Sequence, residues 1–219
     1  MRRLAGILLA TAIVTALVAA LVNIRGAAYG WAWLLIAVVW VCGALVAAAA
    51  EKTALADLGL AAPRLGPDLR VFLWTAAIVF PLLFLGVWFL ARRGLALPLL
   101  PAPSGSRWAP WILYQIAYIA APEELFFRGY VQGSLRQCLK SLAPGRPKLW
   151  DALAVTGAAV LFAAAHVAVF HSAVQAWVFF PALIFGWLRV RTGGVWAPML
   201  FHGCSNVAYA AAGALFSAA

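Results

Sequence analysis

Long apolar runs alternate with short polar segments along most of the chain. A helix needs about 20 apolar residues to cross the roughly 30 Å hydrocarbon core of a bilayer. Seven windows have about this length, which predicts an all-α fold: a polytopic membrane helix bundle with about seven transmembrane helices. The windows span residues 4–24, 27–50, 71–91, 108–127, 152–170, 173–190 and 195–216.

Two longer polar segments interrupt this pattern. Residues 51–70, EKTALADLGLAAPRLGPDLR, predict a loop or an interfacial segment. Residues 92–107, RRGLALPLLPAPSGSR, contain Pro and Gly breaks that predict a loop or a shallow re-entrant piece. The first window follows two arginines, as a signal sequence does, but its length favours a retained helix over a cleaved signal. We divide the chain into N-terminal membrane helices, 1–107, and a second helix bundle, 108–219.

Composition supports the membrane class and argues against a soluble one. Of the 219 residues, 66% are hydrophobic and 10% are charged, whereas about 25% of a soluble domain is charged. The net charge of +10 would suggest nucleic-acid binding in a soluble protein. No basic patch is interleaved with exposed aromatic residues, so we expect the lipid bilayer as a partner and no nucleic acid.

The positions of Lys and Arg predict the orientation. With a cytoplasmic N-terminus, 12 of the 16 basic residues lie on the cytoplasmic side, which is a clear positive-inside bias. We therefore predict a multi-pass protein of the cell inner (plasma) membrane, with the N-terminus cytoplasmic and the C-terminus extracytoplasmic. The four basic residues on the outer side are Arg25, Arg92, Arg93 and Arg107.

Candidate chemistry is confined to the C-terminal half. Ionisable side chains inside a span are costly and mark functional positions. The first three windows contain no charged residue and no histidine. In the last four windows, the polar side chains that stand out are Glu123, Glu124, His166, Gln175, His202 and Asn206.

The stretch EELFFR contains two adjacent acids with different neighbours. Glu124 and Arg128 are four residues apart and share a helix face, so we expect them to form an ion pair. Glu123 is rotated by about 100° from Glu124 and points elsewhere. The spacing therefore predicts one paired acid and one free to act.

The same four-residue spacing recurs twice. Phe162 and His166, in FAAAH, are separated by alanines that allow a neighbouring helix to approach closely. His202 and Asn206, in HGCSN, are expected to project together into one space.

These three motifs together resemble those of the CAAX protease and bacteriocin-processing family of membrane glutamate proteases. That family has a Glu-Glu pair with Arg four after the second Glu, Phe with His four later, and His with Asn or Asp four later. All three stand here in order, and the resemblance covers residues 108–216. It implies an intramembrane endopeptidase with no cofactor and no metal.

Peptide hydrolysis needs an activated water and donors for the developing oxyanion. We assign Glu123 and His166 to the water, because a carboxylate in a low-dielectric site is a stronger base than in water. The resemblance, rather than the spacing, selects Glu123 as the base, and it implies that His202 and Asn206 hold the oxyanion. Structural support is assigned to Glu124, Arg128 and Phe162.

Other interpretations stay open at this stage. Two glutamates and two histidines could form a zinc site, which the sequence neither gives nor excludes, although the resemblance favours a metal-free water. A non-catalytic scaffold or immunity-type protein of the same fold is the alternative function. A proton-coupled transporter is a third, but no repeat symmetry supports it. The expected substrate is a membrane-tethered protein or peptide cut near a terminus, such as a lipidated C-terminal tail, a sorting anchor or a secreted-peptide precursor.

One geometric conflict follows from the windows. Counted from their predicted cytoplasmic boundaries, Glu123 and His202 lie roughly 5–10 Å deep and His166 roughly 20 Å deep. We expect the fifth helix to begin outside the bilayer, with the segment APGRPKLWDAL holding its first turns.

Overall fold

The computed structural model describes residues 2–24, 29–94, 102–142 and 144–216, and these residues form a helical bundle without a β-strand. The first three helices are α1 (Arg2–Val22), α2 (Tyr29–Ala50) and α3 (Leu65–Arg92). The last three are α5 (Pro147–Phe170), α6 (Phe179–Thr192) and α7 (Trp196–Phe216). Short 3₁₀ turns span Leu55–Leu58, Gly105–Arg107 and Ala173–Val178.

Between them lies α4, a continuous helical stretch with two widened turns. It consists of α-helical Trp108–Leu113, π-helical Tyr114–Ala120, α-helical Ala121–Glu124, π-helical Leu125–Val131 and α-helical Gln132–Leu142. In the π segments the backbone N–H groups bond five residues back. The N–H of Ala121 reaches the carbonyl of Ile116, and that of Gln132 reaches the carbonyl of Phe127.

A proline accounts for the first widened turn. Pro122 has no N–H to donate to the carbonyl of Tyr118, four residues back, and its ring would crowd that carbonyl. The turn before it opens into a π-helix, as sharp irregularities at proline commonly do. Nothing in the sequence analysis predicted this widening.

The described helices and 3₁₀ turns cover nearly all of the seven predicted windows. Residues 23, 24 and 195 lie outside them, and residues 27 and 28 lie outside the described residues. Five helical segments are long and apolar enough to cross a membrane: Arg2–Val22, Trp31–Ala50, Leu65–Arg92, Pro147–Phe170 and Ala173–Thr192. The other two windows, 108–127 and 195–216, lie in α4 and α7, which carry four of the polar residues singled out above. The fold is therefore the predicted helical membrane bundle. Residues 95–101 of the predicted 92–107 loop lie outside the described residues.

The expected extension of the fifth helix is present, and the fourth helix extends in the same way. Glu123 precedes Leu142, the last residue of α4, by 19 residues, and His166 follows Pro147, the first residue of α5, by 19 residues. Both therefore lie roughly 28 Å from the turn that joins the two helices. The prediction that Glu123 lies much less deep than His166 was wrong. It was counted from residue 127, where the apolar window ends, but the helix continues to Leu142.

The N-terminal helices pack into the same core as the C-terminal ones. Helix α1 packs against α2 and α5, α2 packs against α4, and α3 packs against α6 and α7. One buried cluster includes Ile7 of α1, Trp40 of α2, Phe126 and Phe127 of α4, and Phe162 of α5.

The polar segment after α2 ties these helices together at one end of the bundle. Gly59 adopts a φ of 75°, and its carbonyl accepts a hydrogen bond from the N–H of Val195 in the turn before α7 (3.0 Å). The indole of Trp196 donates to the carbonyl of Ala61 (2.8 Å), and the hydroxyl of Tyr130 donates to Glu51 (2.8 Å). The segment thus connects the end of α2, the middle of α4 and the start of α7.

Candidate active site

The two adjacent glutamates diverge, as their positions on the helix predicted. Glu124 is fully buried, and its Oε1 accepts a hydrogen bond from Nη1 of Arg128 at 2.9 Å. Nη2 of Arg128 donates to the carbonyl of Ala182 in α6 at 3.0 Å. The same Oε1 of Glu124 lies 2.9 Å from Nδ1 of His202 in α7. Glu124 therefore joins α4 to α7 directly and to α6 through Arg128.

Aromatic rings enclose the Arg128 guanidinium. Its central carbon lies 4.6 Å from the ring centroid of Phe162 and 5.1 Å from that of Phe185. A cation over an aromatic face is attracted by the ring quadrupole, and the attraction is larger when water is excluded. Phe162 also lies 4.2 Å, between ring centroids, from His166. Phe162 is thus a contact shared by the ion pair and by the candidate catalytic histidine.

Glu123 faces His166 across the gap between α4 and α5. Oε2 of Glu123 and Nε2 of His166 are 4.0 Å apart, and the side chains are only 14% and 17% exposed. Nδ1 of His166 lies 3.0 Å from the carbonyl oxygen of Phe162. A carbonyl only accepts, so Nδ1 carries the proton, and a neutral ring leaves Nε2 as an acceptor. Glu123 Oε2 has no hydrogen-bond partner among the described residues.

His202 is held by two contacts and lies beside the Glu123–His166 pair. Its ring stacks on Phe185 with 4.7 Å between centroids, and its Nδ1 faces Glu124. The ring of Phe162 contacts both histidines, with its centroid 4.2 Å from that of His166 and 5.9 Å from that of His202. With Nδ1–H donated to the Glu124 carboxylate, Nε2 accepts in the neutral ring and donates only in the imidazolium.

Asn206 lies one helical turn beyond His202 and contacts a residue that the sequence analysis overlooked. Its Nδ2 donates to Oε1 of Gln115 in α4 at 3.0 Å, and Gln115 is buried. The one sign of Gln115 in the sequence was its place as a polar residue inside the fourth apolar window. By contrast, Gln175 lies in the 3₁₀ turn Ala173–Val178, away from these residues.

A close helix crossing sets the positions of His202 and Asn206. A Cβ atom on Gly203 would lie 2.5 Å from Cγ1 and 2.8 Å from Cα of Ile116 in α4. Only glycine permits this approach between α4 and α7. The crossing brings His202 to Glu124 and Asn206 to Gln115.

No group of three or more His, Cys, Asp and Glu side chains arranged to hold a metal ion occurs in the part of the chain that the structure describes. One ring nitrogen of each histidine already faces another group of the protein. Nδ1 of His166 faces a carbonyl, and Nδ1 of His202 faces Oε1 of Glu124.

The fold and the site together define a polytopic helical membrane protein with an acid–histidine cluster inside its bundle. Residues 105–208 match the model of the family described as type II CAAX prenyl endopeptidase Rce1-like. The match supports the resemblance to the CAAX protease and bacteriocin-processing family that the three motifs predicted, and every predicted site residue lies within the matched segment. The match supports a CAAX-type intramembrane endopeptidase and a membrane location. No curated protein and no solved structure matches the chain.

Proposed function

We propose that this protein is an intramembrane endopeptidase of the glutamate type, in which Glu123 and His166 activate a water without a metal. The observation that supports this most directly is the 4.0 Å separation of Glu123 Oε2 and His166 Nε2. An ionised carboxylate and a neutral Nε2 both accept hydrogen bonds and cannot bond each other. A water placed beside the line that joins them donates one hydrogen to each atom.

The hydrolytic step uses this pair directly. The water oxygen attacks the carbonyl carbon of the scissile peptide bond as Glu123 takes one of its protons. The carbonyl oxygen becomes an oxyanion, which accepts hydrogen bonds from Asn206 and His202. The carbon–nitrogen bond then breaks, and the proton held by Glu123 passes to the leaving amine. A new carboxylic acid and a new amine are the products.

The contact of His202 with Glu124 assigns this second acid a part in the reaction. His202 donates to the oxyanion through Nε2 while Nδ1–H remains with Glu124, which requires the imidazolium form. The Glu124 carboxylate accepts that Nδ1–H, so we propose that Glu124 orients His202 in addition to holding Arg128.

A membrane-tethered substrate is supported by the position of the site along α7. His202 follows Trp196, the first residue of α7, by six residues, which corresponds to roughly 9 Å of helix. Counted along α7, the site therefore lies close to the end of that helix that is cytoplasmic by the predicted orientation, whereas α4 and α5 extend further on the same side. A peptide reaches this depth when its lipid or apolar anchor holds it at the membrane surface.

The substrate is best sought with Glu123→Gln as a trap, because the change removes the base and keeps the shape. Cross-linking in native membranes and mass spectrometry identify the bound protein, which wild-type protein in liposomes should then cleave near its anchor. Glu123→Gln/His202→Ala is the control for binding outside the site. If the trap captures no more than the control, or captures soluble proteins alone, the proposed protease function is contradicted. The non-catalytic scaffold is then favoured.

A further inference from the structure

We infer that Gln115 is a positioning residue that sets the orientation of the Asn206 carboxamide. The inference rests on the proposed function, since it concerns the donor that Asn206 offers to the oxyanion. Two observations support it: the partly buried hydrogen bond from Asn206 Nδ2 to Gln115 Oε1 and the widened turn of α4.

The π-helical segment places Gln115 on the same face of α4 as Glu123. Eight residues separate the two, and in a regular α-helix this spacing leaves them about 80° apart. The turns in Tyr114–Ala120 each take roughly one residue more than an α-helical turn. Two turns, one of them widened, therefore take about eight residues, and Gln115 returns to the face of Glu123.

The hydrogen bond distinguishes the two ends of the Asn206 carboxamide. The side-chain amide of Asn has two nearly equivalent orientations, related by a half-turn of its terminal torsion. Gln115 Oε1 accepts one N–H and so selects the orientation in which nitrogen lies on this side. The second N–H remains for the substrate. The other orientation would present the carbonyl oxygen of Asn206, an acceptor, to a developing negative charge.

Two substitutions separate this role from simple packing. Gln115→Met has a similar volume and no strong acceptor, whereas Gln115→Glu keeps the acceptor oxygen that faces Asn206. Gly203 and Ile116, which form the adjacent helix crossing, are unchanged in both. A residue that only fills space tolerates Met better than Glu, and a residue that orients Asn206 tolerates Glu better than Met.

The chain allows a direct spectroscopic test, because Asn23 and Asn206 are its only asparagines. Protein labelled with ¹⁵N-asparagine in lipid nanodiscs shows two side-chain amide groups, and Asn23, which is exposed, is the internal control. We expect Gln115→Met to speed solvent exchange of the Asn206 side-chain amide about tenfold, because one ordinary hydrogen bond is lost. Gln115→Glu should leave exchange slow. Equal exchange in wild type and Gln115→Met overturns the inference.

The second test measures cleavage kinetics on the substrate that the Glu123→Gln trap identifies. Gln115→Met should lower kcat about 10- to 100-fold with KM unchanged, less than the loss typical of removing an oxyanion donor outright. Gln115→Glu should retain most of the wild-type kcat. Faster exchange in Gln115→Met with unchanged kcat overturns the positioning role. If wild-type protein cleaves nothing, the proposed function fails, while the exchange measurement still decides whether Gln115 holds Asn206.

Discussion

Nδ1 of His202 lies 2.9 Å from Oε1 of Glu124, the same oxygen that receives the Arg128 guanidinium. One carboxylate oxygen thus holds a cation from its own helix and an imidazole from another. Because Arg128 also bonds the carbonyl of Ala182, three helices meet at this acid. The arrangement of the site therefore depends on Glu124, the acid that we do not propose as the base.

Glu124→Gln should lower the stability of the protein, whereas Glu123→Gln should leave it unchanged. Glu124→Gln leaves the Arg128 cation buried without its counter-charge, and removing one partner of a buried pair costs about 3–5 kcal/mol. Glu123→Gln is the matched control, because its Oε2 has no hydrogen-bond partner among the described residues. We expect thermal unfolding in detergent to show a clearly lower Tm for Glu124→Gln and an unchanged Tm for Glu123→Gln. Equal Tm values would contradict the role of Glu124 at this junction.

Gly203→Ala should damage both stability and proteolysis. The added methyl group meets the Cα of Ile116 at 2.8 Å, and overpacking of this kind costs about 1–3 kcal/mol. Trimming Ile116 to Ala should rescue only part of the loss, since the backbone contact persists.

Gly86→Ala in α3 is the control for that substitution. A Cβ atom there meets nothing within 4 Å, so stability should stay constant or rise by up to about 1 kcal/mol. If Gly203→Ala behaves like Gly86→Ala in Tm and activity, the close crossing of α4 and α7 does not position the site.

Interactions within one regular helix could be predicted from the sequence, whereas departures from regular helix geometry could not. The pairing of Glu124 with Arg128 follows from four-residue spacing, and the structure confirms it. The place of Gln115 depends on a π-helical turn, which apolar windows do not show. The predicted difference in depth between Glu123 and His166 has a similar cause. An apolar window shows where the apolar residues end, but α4 continues beyond that point to Leu142.

Contacts between helices were the other missing information. His202 and Asn206 share a face of α7, as predicted, but each bonds a different residue of α4. Spacing within one helix says nothing about which side chains of another helix lie opposite. The motifs therefore predicted candidate residues for the site, and the structure supplied the contacts between them.

The orientation of the chain is open to a direct test with reporters. A reporter fused after Ala219 should be extracytoplasmic, and one inserted at Pro144, between α4 and α5, should be cytoplasmic. The reason is the excess of Lys and Arg on the side that includes this turn. Alkaline phosphatase and green fluorescent protein fusions give complementary signals. A cytoplasmic signal at Ala219 would mean that the number of crossings is even, with the error most readily placed near residues 92–107.

Chelation separates activation of water by Glu123 and His166 from zinc catalysis. A catalytic zinc site uses three protein ligands and an open position for water. Nδ1 of His166 and Nδ1 of His202 already face a carbonyl and a carboxylate, so each ring has only Nε2 to offer. We expect purified protein in liposomes to keep its activity after treatment with EDTA or phenanthroline. A zinc-dependent protease treated alongside it verifies that chelation is complete. Loss of activity that added zinc restores would make Glu123 and the two histidines ligands, and the water would then owe its reactivity to the metal.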